Sequence, residues 1–194
     1  MSSESGGSAR TSGRKRGKPG AAKGDAQETS AGGVVIRGEP GREQVVTIVP
    51  VRRAPGGARV LCLPKGHIDP GENALGAATR EVREEAGVAA ELLRDLGEVR
   101  YWYRRGGRTV SKSVVFFLFR YVSGETSDHD DEVEQARWID LRAALTELSY
   151  EGERSMIARA LALLDEGSAP ETARKPGSTA AHGGSAAPPK RGNR

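Results

Sequence analysis

The chain has 194 residues, a net charge of +4 and a single cysteine, Cys62, which excludes a disulfide within the chain. No stretch approaches the roughly 18 apolar residues of a membrane-spanning helix, and the first residues contain no apolar signal core. We therefore expect a soluble, unexported protein of the cytoplasm, with Cys62 as a small buried side chain rather than a nucleophile.

The two ends of the chain differ from its middle. Residues 1–30 and 169–194 are rich in Gly, Ser, Ala and basic residues and together carry +7, whereas the rest carries −3. Such segments cannot bury enough apolar surface to offset the entropy of ordering. We predict disordered basic tails at 1–28 and 168–194 and one domain at 29–167. A specific nucleic-acid partner is not expected, no membrane partner is expected, and the oligomeric state is left open.

Runs of β-branched residues and turn-forming residues predict the elements in chain order. Two strands flank the turn at 38–41, and a third leads into a glycine-rich loop and a helix. Gly106 and Gly107 are typical of a hairpin turn. A last short strand precedes two helices, the second of which has an apolar stripe. The predicted strands are 34–36, 45–51, 59–63, 98–105, 109–122 and 136–139, and the predicted helices are 73–86, 140–148 and 153–166.

The predicted helix at 73–86 carries three acidic residues at positions i, i+3 and i+4, namely Glu81, Glu84 and Glu85. This spacing projects all three carboxylates from one stretch of helix surface. Like charges at this separation repel one another unless a cation lies among them. Hard oxygen ligands suit Mg²⁺ or Mn²⁺, which also bind phosphate oxygens. The spacing therefore favours metal-assisted attack of water on a phosphate ester or anhydride.

The residues around this helix agree with its assignment. Asn73 is a suitable N-cap, and Gly87 stands where a helix commonly ends. A salt bridge between Glu72 and Arg80 is predicted to fix the preceding loop over the carboxylates. The apolar stripe that can pack on a sheet consists of Leu75, Ala78, Val82 and Ala86.

The segment 66–88 resembles the Nudix box, and every defined position of that pattern is filled. The matching residues are Gly66, Glu72, Arg80, Glu81, Val82, Glu84, Glu85, Gly87 and Val88. The resemblance implies an α/β fold, a Nudix-type α/β/α sandwich with a mixed β-sheet, and hydrolysis that depends on Mg²⁺, with Mn²⁺ as an alternative. We expect the three box carboxylates and the Gly66 carbonyl to hold the metal, with Arg80 and Glu72 completing the catalytic set.

An acidic run at 127–134 precedes the last predicted strand. In proteins with the Nudix box, an acidic residue near this position often completes the metal site or supplies the general base. Glu132 and Glu134 are the candidates by position, and Glu81 is the alternative general base. A solvated acidic loop is the other interpretation of this run.

Several residues near the box are candidates for binding substrate. A lysine beside a metal–phosphate site can pair with phosphate oxygens, and a histidine can add a hydrogen bond. Alternate residues of a strand share one face, so two nearby tyrosines can offer a surface on which a purine stacks, although core packing would explain them equally well. The predicted substrate-binding residues are Lys65, His67, Tyr101, Tyr103 and Lys112.

These residues, together with segments 30–34, 63–72 and 116–118, resemble the diadenosine polyphosphate hydrolase branch of the Nudix family. We therefore expect cleavage of a phosphoanhydride bond in a nucleoside diphosphate-linked substrate, foremost a dinucleoside polyphosphate. The alternative enzymes are pyrophosphatases for oxidised nucleoside triphosphates or ADP-ribose. A non-catalytic nucleotide-binding regulator is the alternative from another class, and three intact carboxylates argue against it.

Overall fold

The computed structural model describes residues 26–54 and 56–168, which form one mixed sheet between helices. The predicted tails lie outside these residues, apart from 26–28 at the start of the first strand and Ser168 at the end of the last helix. Within the described part of the chain, no helix is long and apolar enough to cross a membrane. The elements are β1 (Ala26–Arg37), β2 (Gln44–Pro50), β3 (Lys65–His67), α1 (Ala74–Ala86), β4 (Val88–Arg105), β5 (Arg108–Gly124), a 3-10 turn (Thr126–Asp128), β6 (Val133–Asp140), α2 (Ala144–Glu147) and α3 (Glu151–Ser168).

The strand order is β4-β5-β1-β2-β6, and β3 pairs with the first half of β1 beside this path. The pair β1–β5 is parallel and the other pairs are antiparallel, so the predicted mixed sheet is confirmed. Alternation along β1 sends Ala31 and Val35 to one face, where they pack with Val82 of α1. Val34 and Ile36 face the other way and share a core with α3. The expected α/β/α layers are therefore present.

The hairpin between β4 and β5 follows its prediction. Gly106 and Gly107 have φ angles of 58° and 77°, a left-handed pair that suits a two-residue turn, and Arg105 pairs with Arg108 across it. Both strands are longer than predicted, because β4 already begins at Val88 and three register shifts bend it along β5. The hairpin is thus the largest paired unit of the sheet.

The predicted start of the first strand was wrong, since β1 begins eight residues before Val34. Gly32 and Gly33 precede the predicted strand, but they lie inside β1 and neighbouring atoms approach them closely. A Cβ on Gly32 would lie 2.5 Å from the Pro64 carbonyl oxygen, and one on Gly33 would lie 2.5 Å from a methyl group of Val82. The two glycines therefore allow the loop and α1 to pack closely against β1, and they do not end the strand.

Two other predicted elements were wrong. Segment 59–63 is not a strand and makes a single bridge, in which Cys62 exchanges both backbone hydrogen bonds with Ile48. Pro64 cannot donate the next bond, so the pairing stops there. Segment 140–148 is helical only over α2, because residues 141–143 form a turn in which the Asp140 carboxylate accepts the N–H groups of Arg142 and Ala143.

Candidate active site

Helix α1 sets the spacing of the acidic residues, and both of its predicted ends are confirmed. The Asn73 side-chain oxygen accepts the N–H of Gly76 at 2.8 Å, which caps the first turn. Gly87 ends the helix with φ at 70° and donates to the Arg83 carbonyl. A Cβ at Gly87 would lie 2.3 Å from the Glu125 carbonyl oxygen, so glycine is required by contact as well as by conformation.

Arg80 joins the loop to the helix through five hydrogen bonds. Two go to the Glu72 carboxylate, at 3.2 and 3.0 Å, so the predicted salt bridge is present. Its other guanidinium nitrogen donates to Glu81 at 2.8 Å and to Glu84 at 2.9 Å. A fifth bond reaches the His67 carbonyl oxygen at 2.9 Å. The guanidinium therefore offsets part of the charge of Glu81 and Glu84 and ties the loop to the helix.

Glu81 lies directly against the backbone of β3. A Cβ at Gly66 would lie 2.0 Å from one Glu81 carboxylate oxygen and 2.2 Å from the other, so only glycine leaves room for this carboxylate. Burial raises the pKa of Glu81 in spite of its hydrogen bond from Arg80, and the charges of Glu84 and Glu132 raise it further. The carboxylate thus occupies a site that penalises its negative charge.

Glu85 is half-buried, less accessible than Glu84 but more accessible than Glu81. Its oxygen accepts the backbone N–H of Lys65 at 2.6 Å. Burial raises the pKa of Glu85 to about 8, with the Lys65 charge opposing this and Glu81 and Asp130 adding to it. Glu84 is the exposed member, with 47% of its side chain accessible, and its carbonyl oxygen accepts the N–H of Asp130 at 2.8 Å.

A divalent cation fits these residues, although the side chains do not yet surround one point. Within residues 26–54 and 56–168, no three acidic, histidine or cysteine side chains form a ready ligand cluster, and the Arg80 guanidinium contacts two of the three carboxylates instead. All three donors are hard oxygens, and burial raises the pKa of both Glu81 and Glu85. Added positive charge would offset that penalty, which is the chemistry of a hard metal site.

Only part of the acidic run before β6 lies near the box carboxylates of α1. The Glu132 charge acts on Glu81, which places it near the box. The structure does not bring Glu134 to the same cluster, since its carboxylate pairs with Arg53 at 2.8 Å and with Arg59. His129 contacts a backbone oxygen of Asp130 and takes no part in the box.

Lys65 does not extend toward solvent as its predicted role would require. Its ammonium lies 3.0 Å from a Glu153 carboxylate oxygen of α3, and only 18% of its side chain is accessible. Burial opposes the lysine charge, but Glu153 raises the pKa of Lys65 well above its usual range. The sequence did not single out Glu153, although an acid in phase with the apolar stripe of Met156 and Ala160 was a signal that it is buried.

Three other predicted substrate residues, Tyr101, Tyr103 and Lys112, lie together on the face of the sheet that packs against α3. Tyr101, Lys112 and Glu28 are consecutive cross-strand partners on β4, β5 and β1. The rings of Tyr101 and Tyr103 lie 6.3 Å apart on that same face. Glu28, which was assigned to a tail, is instead a member of this group.

Glu28 is the acidic centre of that surface. Its carboxylate accepts the Tyr103 hydroxyl at 2.7 Å, pairs with Arg105 and lies 3.7 Å from the His67 ring nitrogen Nε2. The tyrosine hydrogen bond and the Arg105 charge hold the pKa of Glu28 below its usual range. His67 is therefore placed with the predicted tyrosines rather than with the carboxylates of α1.

Cations dominate the rest of this surface. Burial lowers the pKa of Lys112, and the charges of Lys65, Arg52 and Arg105 lower it further against the opposing effect of Glu28. Tyr150 also lies near this surface, because the Lys65 ammonium is 6.0 Å from the centre of its ring. This ring is exposed and was missed, because no local pattern marks a residue between two helices as a neighbour of β3.

The sequence model of the NUDIX domain matches residues 27–160. The MutT4 protein of Mycobacterium tuberculosis is 41% identical over 140 residues, which is 72% of this chain and 56% of that protein. The 8-oxo-(d)GTP phosphatase of Mycolicibacterium smegmatis is 37% identical over 97 residues, 50% of this chain and 29% of that protein. The asymmetrical bis(5'-nucleosyl)-tetraphosphatase of Mus musculus is 36% identical over 87 residues, 42% and 56% of the two chains.

Among solved structures, the fold is similar to that of an Ap4A hydrolase from C. elegans, determined as a binary complex. The TM-score is 0.55 at 24% identity, and the match covers 72% of this chain and 98% of that one. The match extends beyond the box to the strands on both sides of it. The chain spans little more than half of the MutT4 protein and less than a third of the M. smegmatis phosphatase.

Proposed function

The chain belongs to the Nudix hydrolase family, and we propose that it hydrolyses a phosphoanhydride bond of a dinucleoside polyphosphate. Enzymes of this family generally need a divalent metal ion. Mg²⁺ is the ion we propose here, with Mn²⁺ as a substitute, because the donors are hard carboxylate oxygens. Glu81, Glu84, Glu85 and the Gly66 carbonyl would hold it. When bound, the ion supplies charge that neutralises phosphate oxygens and makes water easier to deprotonate.

The chain's own residues prepare the reaction in two ways. Arg80 keeps the loop and helix in one arrangement through its bonds to Glu72 and to the box carboxylates. Burial beside Gly66 raises the pKa of Glu81 above its usual value, which makes this carboxylate a better proton acceptor than an exposed one. We therefore assign proton removal from the attacking water to Glu81, and orientation of the loop to Arg80.

The observation that carries the choice of substrate is the surface on the other face of β3. Lys112, Arg52 and Arg105 give it positive charge, which a long phosphate chain can neutralise at several points. The exposed rings of Tyr101 and Tyr150 both lie near Lys65 and offer stacking surface for a base. A dinucleoside polyphosphate uses both features, whereas a sugar nucleotide presents only two phosphates.

An oxidised guanine nucleoside triphosphate is the second candidate. The 37% identity to the M. smegmatis 8-oxo-(d)GTP phosphatase supports this candidate. The identity to the mouse tetraphosphatase is nearly the same, 36%, so sequence identity does not separate the two substrates. Both substrate classes contain a phosphoanhydride bond and a purine. They differ in the length of the phosphate chain and in the second nucleoside, so the cationic surface is the feature that separates them.

The test is a panel assayed in Mg²⁺ with product analysis: diadenosine tetra-, penta- and hexaphosphate, 8-oxo-dGTP and ADP-ribose. We expect the highest kcat/KM for the dinucleoside polyphosphates. Lys112→Ala should lower kcat/KM for the hexaphosphate by about 10-fold, the size of a lost charged contact of 1.4 kcal/mol, and lower that for 8-oxo-dGTP less. Arg100→Ala is the matched control, because Arg100 is exposed and pairs with Glu98.

Three outcomes would change the proposal. A tenfold preference for 8-oxo-dGTP or ADP-ribose would replace the substrate class and leave the hydrolase in place. An equal effect of Lys112→Ala on all substrates would remove the role of the phosphate chain. Tight nucleotide binding without turnover in either Mg²⁺ or Mn²⁺ would favour a nucleotide-binding regulator.

A further inference from the structure

One buried acid has no place in the reaction described above. Glu153 lies in the first turn of α3 with 4% of its surface accessible, across the sheet from α1. One of its carboxylate oxygens accepts the backbone N–H of Leu63 at 2.9 Å, and the other lies 3.0 Å from the Lys65 ammonium. A single carboxylate thus holds two residues of the segment that enters β3.

The same segment touches the box carboxylates from its other side. The Lys65 backbone N–H donates to Glu85 at 2.6 Å, and the next residue, Gly66, lies against Glu81. Between them, the Pro64 carbonyl oxygen accepts the N–H of Gly33 at 3.0 Å and ties the segment to β1. Segment 63–66 is therefore clamped between α3 and the acidic face of α1.

Stability alone is a weak explanation for such a pair. The desolvation of two buried charges largely cancels their attraction, and an apolar pair of similar volume would serve the core as well. What an apolar pair cannot do is accept the Leu63 N–H and direct the lysine at the same time. The carboxylate fixes the segment at two points, and this constrains the direction of the next peptide groups.

We propose that Glu153 is a positioning residue for the catalytic centre. Through Leu63 and Lys65 it orients segment 63–66, so that the Lys65 N–H meets Glu85 and Gly66 admits Glu81. Its effect on hydrolysis rests on the proposed function, but its effect on the backbone does not. Partners that orient metal-binding side chains typically change metal affinity 10- to 100-fold when removed.

The direct test is amide hydrogen exchange in the metal-free protein, followed by NMR. Glu153→Gln retains an acceptor for the Leu63 N–H but removes the charge that holds Lys65. We expect exchange at the Lys65 amide to accelerate by at least about 10-fold, and Mn²⁺ affinity measured by calorimetry to fall by about 10-fold. With hydrolysis as a further readout, kcat should fall while KM changes little.

Met156→Ala is the matched control, because Met156 is fully buried on the same helix and shares the apolar core with Leu63, but its side chain has no charge or carboxylate oxygen to hold segment 63–66. It should lower the melting temperature while leaving Lys65 exchange under native conditions and Mn²⁺ affinity near wild type. A second control, Glu153→Gln with Lys65→Met, removes the unpaired charge. It should recover stability without recovering slow exchange at residue 65.

Wild-type exchange at Lys65 in Glu153→Gln would overturn the inference, as would equal losses of Mn²⁺ affinity in Glu153→Gln and Met156→Ala. Recovery of exchange, metal affinity and kcat together in the double variant would also overturn it, since that pattern marks a purely structural pair. Failure of the wild-type protein to hydrolyse any substrate of the panel would instead refute the proposed function, and the exchange result would still stand.

Discussion

The two surfaces on either side of β3 differ in their side chains. The surface toward α1 is acidic, and the surface toward α3 is mainly basic and aromatic. Gly66 faces α1, where Glu81 and Glu84 share the Arg80 guanidinium and Glu85 accepts the Lys65 N–H. Its neighbours on either side face α3, where the lysines, arginines and tyrosines gather. We propose that the acidic face binds a cation and that the opposite face binds the phosphates and bases of the substrate. Bond cleavage and substrate recognition are therefore expected to respond to different mutations.

The largest effect is expected on the acidic face. Glu84→Gln and Glu85→Gln each preserve volume but remove a charge that the metal requires. Turnover should fall by roughly 10³-fold, because a metal ion contributes several kcal/mol of charge stabilisation in the transition state. Steady-state kinetics at saturating Mg²⁺ measures this, with Glu98→Gln as an exposed control. Near wild-type kcat in both variants would remove the acidic face from the chemistry.

The second largest loss of kcat is expected from Gly66→Ala. The added methyl group would meet the Glu81 carboxylate at 2.0 Å, so either the carboxylate or β3 must move. A displacement near 1 Å at a reacting group costs about 100-fold in rate, and we expect kcat to fall by that order. Gly76→Ala is the control, since its Cβ would meet its neighbours at 3.4 Å or more, inside a helix. Equal activity of the two variants would contradict the close contact seen at Gly66.

The pH dependence of stability gives a third comparison, made without metal. The folded state raises the pKa of Glu85 from 4.5 to about 8 and so binds its proton more tightly than the unfolded state. This contribution to stability is complete below about pH 4.5 and is lost as the pH rises through about 8. Melting temperatures in chelator should therefore fall across this window in the wild type and fall less in Glu85→Gln. Parallel curves would mean that Glu85 is not buried as described.

The smallest effect is expected from Glu28→Gln on the cationic face. Glutamine can still accept the Tyr103 hydroxyl, but the charge beside Arg105 and His67 is gone. KM for a dinucleoside polyphosphate should fall about 2- to 5-fold, the size of a partly exposed charge interaction, while kcat stays unchanged. Glu91→Gln is the exposed control on β4. A change in kcat without a change in KM would show that the two faces are not separate.

The acidic face could be predicted from the sequence because its contacts are local. Asn73, Gly87 and the Glu72–Arg80 bridge all lie within one loop and one helix, where spacing fixes geometry. Glu28 and Glu153 could not be placed in this way. Their partners come from strands far away in the chain, and no periodic pattern specifies which segments a sheet brings together.

The same limit applies to two predicted site residues whose side chains are paired elsewhere in this structure. Lys65 was expected at the substrate because it precedes the box, but α3 returns over β3 and captures its ammonium. Glu134 was expected at the metal because it belongs to an acidic run, but Arg53 and Arg59, which lie between β2 and β3, pair with it. In both cases an ionic partner distant in the sequence determines where the side chain lies. The local pattern of charges does not reveal that partner.

The parallel pairing of β1 with β5 has a consequence for how the protein is made. β1 leaves the ribosome early, but residues 26–36 pair with residues 110–120, so the centre of the sheet cannot close until β5 has been synthesised. The β4–β5 hairpin is local and should form quickly once both strands have emerged. Until then the apolar residues of β1 lack their partner strand, so the nascent chain is most prone to aggregation before the hairpin arrives.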